Sequence, residues 1–158
     1  TYEQVSELIF SPDSAKLAYI TEWRNSPVSP GLSGEAVVVD GREGNIYEWV
    51  GKLTFSPDSR QVAYIALLDR LKREFVMILN DKESPKYGEV RDPVFSPDSQ
   101  HLAYIVQASG GNEFVVLDNK KSQLYDFVST PIFSSDSKYL AYGVKKDNEL
   151  WWIVEEVK

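Results

Sequence analysis

The sequence predicts an all-β protein built from four tandem copies of one four-stranded antiparallel unit. Three observations predict it. The motif Phe-Ser-Pro-Asp-Ser stands at 10–14, 55–59 and 95–99, with Phe-Ser-Ser-Asp-Ser at 133–137. An apolar quartet follows each copy after two residues: Leu-Ala-Tyr-Ile at 17–20 and 102–105, Val-Ala-Tyr-Ile at 62–65, Leu-Ala-Tyr-Gly at 140–143. A tyrosine precedes each motif phenylalanine by eight residues (Tyr2, Tyr47, Tyr87, Tyr125), and each has a valine three residues on (Val5, Val50, Val90, Val128).

Four strands per unit follow in order. Strand a is the run ending at the phenylalanine, and Ser-Pro-Asp-Ser is the a–b hairpin turn. Proline pre-sets φ there, Asp and Ser bond local backbone, and the last position tolerates a left-handed conformation. Asp13, Asp58, Asp98 and Asp136 are therefore structural turn residues, and their repetition calls for no metal. Ser135, where the other copies have proline, loosens the fourth turn. Strand b is the Leu-Ala-Tyr-Ile run. Strand c is the apolar run opened by glutamate at Glu35, Glu74, Glu113 and Glu149, and strand d is Tyr-x-x-Val. Strands b and c are apolar at nearly every position, as in sheets covered on both faces. Phenylalanine spacings of 45, 40 and 38 residues match the blade length of a β-propeller. The short, β-branched runs bounded by turn residues exclude helical repeats.

Composition bounds the function. The chain has 158 residues, 42% of them hydrophobic and 26% charged, which is a globular balance. Its net charge of −7 argues against nucleic acid. The absence of cysteine excludes disulfides, thiol nucleophiles and thiolate metal sites. Apolar runs of at most seven residues fall far short of the ~20 that span a bilayer. The single histidine, His101, sits in the variable slot held by Lys16, Gln61 and Tyr139 in the other repeats. With no second histidine, no nucleophile–base pair or His-rich metal site can be assembled, so no catalytic residue, cofactor or metal is assigned and no enzyme is expected.

Four copies of Phe-Ser-Pro-Asp-Ser-x-x-Leu-Ala-Tyr-Ile resemble the Pro-Asp variety of WD-like β-propeller repeat, best known from TolB-like propellers and from propeller domains of prolyl-oligopeptidase-type peptidases. The resemblance covers essentially the whole chain. It implies a binding platform, often periplasmic or extracellular, and seldom a catalyst by itself. In that family the last turn residue is usually glycine, whereas all four copies here have serine, which makes the turn less relaxed.

The register of the ends gives one propeller domain over 1–158. Residues 8–50, 53–90 and 93–128 form blades one to three, and 131–158 supplies strands a to c of blade four. Residues 1–5, with Tyr2 and Val5, have the strand d signature and complete blade four. Three arrangements satisfy this reading: a four-bladed monomer, a homodimer forming an eight-bladed ring, or a fragment of a longer propeller, to which the Thr1 start is also suited.

Propeller loops fall on two faces. The c–d loops at 41–45, 81–85 and 119–123 are short spacers. The b–c loops vary: the first, 21–34, is the longest and carries Trp23 and Arg24, and the second, 67–73, carries Arg70, Lys72 and Arg73. Arg91 joins them on the same b–c/d–a face, which sums to about −1 and leaves −6 for the rest of the chain. An anionic partner would meet this face. Trp23 beside Arg24 has the composition of an interface hot spot, or else covers its own loop. The sequence thus predicts a non-catalytic scaffold that binds a protein or peptide through Trp23, Arg24, Arg70, Lys72, Arg73 and Arg91. The alternatives are a carbohydrate-binding or carbohydrate-processing propeller, and an accessory propeller domain of a prolyl-oligopeptidase-like peptidase.

Overall fold

A computed structural model describes residues 2–23, 33–108 and 110–158. Four four-stranded antiparallel sheets account for every strand among them. The first contains β1 (Tyr2–Phe10), β2 (Leu17–Trp23), β3 (Gly34–Val39) and β4 (Arg42–Glu43), in that spatial order. The second contains β5 (Trp49–Phe55), β6 (Val62–Asp69), β7 (Glu74–Leu79) and β8 (Lys82–Glu83). The third contains β9 (Glu89–Phe95), β10 (Leu102–Gln107), β11 (Glu113–Leu117) and β12 (Lys120–Lys121). In the fourth, β13 (Phe127–Val128) and β14 (Ile132–Phe133) pair one side of β15 (Tyr139–Lys146), and β16 (Glu149–Glu156) pairs the other. No helix long and apolar enough to cross a membrane occurs among the described residues.

The chain divides into two compact units, Thr1–Lys86 and Tyr87–Lys158. In the first unit, Ala18, Ile20 and Val37 of sheet one pack against Val50, Leu53, Phe55, Tyr64, Val76 and Ile78 of sheet two. In the second, Ala103, Ile105 and Val115 of sheet three pack against Val128, Leu140, Tyr142 and Val144 of sheet four. Both faces of β6 and β10 are covered, which is why these runs are continuously apolar rather than alternating.

The a–b turns repeat one hydrogen-bond network. In the first, Ser11 Oγ donates to Asp13 Oδ1 at 2.6 Å, Asp13 Oδ1 also accepts the Ala15 amide at 3.0 Å, and Ser11 Oγ accepts the Lys16 amide at 2.9 Å. Ser14, Ser59, Ser99 and Ser137 close the four turns at φ 60°, 64°, 64° and 61°, in the left-handed region that favours glycine. Their hydroxyls explain the serine. Asp13 N–H donates to Ser59 Oγ of the next sheet at 3.0 Å, and Asp98 N–H donates to Ser137 Oγ at 3.0 Å. The left-handed serine costs about 1 kcal/mol relative to glycine, and the hydrogen bond contributes about the same in return.

The c–d connections are two-residue turns with both residues left-handed, Asp40 with Gly41, Asn80 with Asp81 and Asp118 with Asn119. Asp40, Asn80 and Asp118 each accept, through Oδ1, the first amide of strand b in their own sheet (Leu17, Val62, Leu102). His101 Nδ1 pairs with the second carboxylate oxygen of Asp118, an arrangement confined to the third repeat.

Two strand assignments differ from the sequence reading. The hydrogen-bonded part of strand d is the two-residue strand before each tyrosine, and the tyrosine adds one further bridge to strand c (Tyr47 to Glu35, Tyr125 to Glu113). The valine already belongs to the following sheet, as Val50 pairs with Ala66. The chain therefore crosses between sheets inside Tyr-x-x-Val. Residues 2–5, expected to complete the fourth sheet, are likewise paired with β2 as the first half of β1. The second difference is one of register. Glu35 and Glu113 lie opposite Glu22 and Gln107, but it is Phe75 and Leu150 that lie opposite Leu67 and Lys145. Glu74 and Glu149 stand one residue earlier, which accounts for the glutamate-to-tyrosine spacings of 12, 13 and 12 residues in the first three units.

The inter-sheet role of Ser59 makes its two smallest replacements unequal. Ser59→Ala keeps the backbone strain and loses the acceptor, and urea denaturation is expected to show a loss of about 1–2 kcal/mol. Ser59→Gly also loses the acceptor but relaxes the turn, so its loss is expected to be about 1 kcal/mol smaller; equal losses would remove the hydrogen bond from the account. The turns also impose a pH dependence. Hydrogen bonds from a serine hydroxyl and a backbone amide hold the Asp13, Asp98 and Asp136 carboxyls below their ordinary value of 3.8. A depressed folded-state value means stability that is present above 3.8 and is lost as pH falls through the folded-state values. Asp98→Asn, which keeps the acceptor oxygen without the titration, is expected to lose less Tm than the wild type between about pH 5 and pH 2 by circular dichroism.

Candidate functional site

At the end of sheet two where β6 turns into β7, Trp49, Leu67 and Phe75 line a depression of about 390 Å³ that Arg70 and Arg73 border. Adjacent residues on β5, β6 and β7 supply its floor, since Trp49 pairs with Leu67 and Leu67 with Phe75. Gly51 allows the floor to form. A Cβ there would lie 2.4 Å from the Trp49 ring, so only glycine lets the indole lie back along its own strand. Its repeat equivalents are Ser6, Arg91 and Ser129.

The β6–β7 turn holds the basic border. Glu48 Oε2 accepts the Arg70 amide at 2.9 Å, and Asp69 Oδ1 accepts the Lys72 amide at 3.0 Å. Lys72 Nζ lies 2.9 Å from Asp69 Oδ2, which ties the Lys72 charge to its own turn. Arg73 takes a left-handed φ of 53°. Leu71, at the tip, is 97% exposed, so the turn presents an isolated apolar side chain between cations.

The row to which this depression belongs alternates along the repeats. Sheet one has Gln4, Glu22 and Glu35 at the three equivalent positions, and sheet three has Glu89, Gln107 and Glu113. Sheet four has Phe127, Lys145 and Leu150. Where the c-strand residue is glutamate, it fastens its sheet to the next. Glu35 Oε2 accepts the Val50 amide at 2.8 Å, and Glu113 Oε2 accepts the Val128 amide at 2.7 Å. Phe75 stands where that carboxylate would be, and its ring becomes available as a surface.

The other sequence-predicted residues fall elsewhere. Trp23 ends β2 opposite Gly34 and is 6% exposed, so it is a core residue and offers no surface to a partner. Arg24 lies outside the described residues. Arg91 belongs to β9 and is held by its own neighbours: Nη1 is 2.7 Å from Asp92 Oδ2, and Nη2 is 2.7 Å from both Glu113 Oε2 and the Val128 carbonyl. Its guanidinium also lies over the Phe127 ring at 5.7 Å. These contacts make Arg91 a clamp between sheets three and four. Arg70 and Arg73 border the depression, and Lys72 shares their turn. Asp13, Asp98 and Asp136 make turn hydrogen bonds, and Asp58 accepts the Ser56 hydroxyl and the Arg60 amide in the same way. No group of three or more His, Cys, Asp or Glu side chains suited to a metal occurs among the described residues.

Sequence reasoning missed Trp49 and Phe75. The available signals were the 13-residue glutamate-to-tyrosine spacing in the second repeat and an aromatic at 49 where Gln4 and Glu89 stand in other repeats. A second groove of about 360 Å³ in the first unit, lined by Lys16, Asp40, Arg42, Arg60 and Asp81 among others, recurs as a smaller one of about 120 Å³ at the equivalent place in the second unit. Recurrence identifies it as the splay between adjacent sheets.

No protein-family model and no curated protein matches the sequence. Among solved structures, the chain is similar to the β-propeller domain of the Trilobed protease from Pyrococcus furiosus, which has an open velcro topology (TM-score 0.60, 12% identity, 99% of this chain and 59% of that one). It is also similar to TolB from Acinetobacter baumannii (TM-score 0.54, 13% identity, 98% and 41%). A third likeness is to Pyrococcus horikoshii acylaminoacyl peptidase (TM-score 0.53, 15% identity, 99% and 33%). The chain therefore has a TolB-like β-propeller fold and spans between one third and three fifths of the length of these structures.

Proposed function

We propose that the chain is a non-catalytic propeller that binds a protein or peptide partner at the Trp49–Leu67–Phe75 depression. The observation that carries this reading is an aromatic floor bordered by two arginines on a structured turn. Aromatic and arginine side chains dominate binding energy at protein interfaces because they bury large area with little loss of side-chain freedom. The chemistry that fits is a segment with one leucine or phenylalanine flanked by acidic residues. The apolar side chain would lie on Trp49 and Phe75, and the carboxylates would meet Arg70 and Arg73. Likeness to two peptidase-associated structures supports a second reading, an accessory propeller that presents peptide to a catalytic domain.

Synthetic peptides with one central phenylalanine in either an acidic or a basic context, titrated against tryptophan fluorescence, test the site. The acidic peptide is expected to perturb the emission and to lose about tenfold in affinity with Trp49→Ala or Arg70→Glu, consistent with about 1–2 kcal/mol for a hot-spot contact. Gly51→Ala, which displaces the indole, is expected to act in the same direction. Equal response to the acidic and basic peptides, or no effect of Trp49→Ala, would remove the depression as the binding site.

A further inference from the structure

The depression at the end of sheet two has room for one large side chain. Its floor crosses the neighbouring strands β5, β6 and β7 through Trp49, Leu67 and Phe75, a width of two strand spacings or about 10 Å. Its volume of about 390 Å³ lies near the lower end of the ~300–1,000 Å³ that small-ligand sites enclose. Leu67 is buried and Trp49 and Phe75 are half-buried, so the accessible apolar surface is mainly that of the two rings.

Most charges around the floor are already paired. Lys72 Nζ lies 2.9 Å from Asp69 Oδ2, and Lys86 Nζ lies 2.8 Å from Glu74 Oε2. Arg73 has a partner of its own. Arg70 differs. Its backbone is fixed on both sides, since the amide donates to Glu48 Oε2 at 2.9 Å and the carbonyl accepts the Arg73 amide at 3.4 Å. Its side chain is exposed, borders the depression and makes no ion pair or hydrogen bond among the described residues.

Three carboxylates limit what this cation receives. Glu48, Asp69 and Glu74 all stand in or beside the same turn. A ligand with acidic side chains on both sides of its apolar residue brings several negative charges among these three, and like charges at that range repel. One carboxylate beside the apolar side chain pairs with Arg70 and avoids that repulsion. The residue that carries both groups on a single Cα is the last residue of a peptide. A terminal residue also leaves the depression in one direction only, whereas an internal one needs two exits from a floor one residue wide.

We infer, resting on the reading that this depression binds peptide, that its ligand is a free carboxy-terminal phenylalanine or leucine. The side chain lies on Trp49 and Phe75, and the α-carboxylate pairs with the Arg70 guanidinium. This narrows the acidic context of the ligand to one charge. Guanidinium and carboxylate match through two parallel N–H···O bonds, which fixes the direction in which the peptide leaves the site. The pinned Arg70 backbone reduces the freedom lost on pairing.

Calorimetric titration of the whole chain with three peptides tests the inference. They are Gly-Ser-Gly-Phe with a free carboxylate, the same peptide as its carboxamide, and an amidated peptide with an internal phenylalanine between two glutamates. The free acid is expected to bind about tenfold more tightly than its carboxamide, as one charge-assisted pair at an exposed rim provides. Arg70→Gln, which keeps the backbone bond to Glu48, is expected to abolish that difference by weakening the acid alone, with unchanged circular dichroism. Trp49→Ala is expected to weaken acid and carboxamide alike. Equal affinities of acid and carboxamide, both lowered by Trp49→Ala, would overturn the carboxy-terminal inference and leave the depression as a peptide site. Tighter binding of the internal phenylalanine than of the free acid, or an acid preference that survives Arg70→Gln, would overturn it as well. Binding of none of the three in a Trp49-dependent way would overturn both the inference and the reading beneath it.

Discussion

A backbone amide in one turn, donated to a serine hydroxyl in the next sheet, is the contact that sets the spacing of the two sheets within each compact unit. Asp13 N–H to Ser59 and Asp98 N–H to Ser137 span neighbouring sheets at the same 3.0 Å. Each depends on a serine held at φ near 60° by the turn before strand b. The Asp side chain is consumed within its own turn, so its amide is free to face outward, and the serine that closes the following turn receives it. Turn geometry and sheet-to-sheet packing are thereby one device. The apolar strands supply most of the driving force, because burial of continuous Val, Ile, Leu and Ala runs removes large area from water. That force is non-directional, however, and it is the turn contact that sets which residues of neighbouring sheets face each other.

At the opposite end of the sheets a second contact alternates. Glu35 and Glu113 reach across to the Val50 and Val128 amides, while Phe75 and Leu150 occupy the corresponding positions in the other two repeats. Each compact unit therefore contains one carboxylate clamp and ends on one apolar residue. Third-repeat embellishments build on the clamp. Arg91 pairs with Glu113 and reaches the Val128 carbonyl, and Asp92 accepts the Thr130 hydroxyl. Because Glu113 is nearly buried, Arg91 compensates a charge that desolvation would otherwise penalise. The same alternation leaves Phe75 and Trp49 open beside a basic turn, so the candidate site arises where the clamp is replaced.

Most of the architecture was legible in the sequence because each repeat carries several landmarks in register. Phe-Ser-Pro-Asp-Ser located the a–b turns, and the apolar quartets located strand b. Strand d was misplaced for a physical reason: its pairing is largely backbone, through two exposed residues such as Arg42 and Glu43, and leaves no apolar signature. The conspicuous tyrosine and valine flank the crossing between sheets instead. Glutamates one residue apart looked equivalent because Glu74 and Glu149 stand one residue before the positions that Glu35 and Glu113 occupy in their sheets, an offset that only the strand register reveals. At the candidate site, Arg70 and Arg73 were visible as loop charges, but the aromatic floor was not, since Trp49 and Phe75 read as ordinary strand residues. Trp23 and Arg91 show the converse. Their residue types suggested recognition, and burial of one and ion pairing of the other turn both inward.

Amide hydrogen exchange of Asp13 measures the inter-sheet contact most directly, because this residue lies in an exposed turn and its amide is bonded to Ser59. Slow exchange of Asp13 and Asp98 is expected in the wild type, with Ser59→Ala releasing Asp13 and leaving Asp98 protected. Exchange of Asp13 at the rate of an open turn amide in the wild type, or unchanged protection in Ser59→Ala, would contradict it.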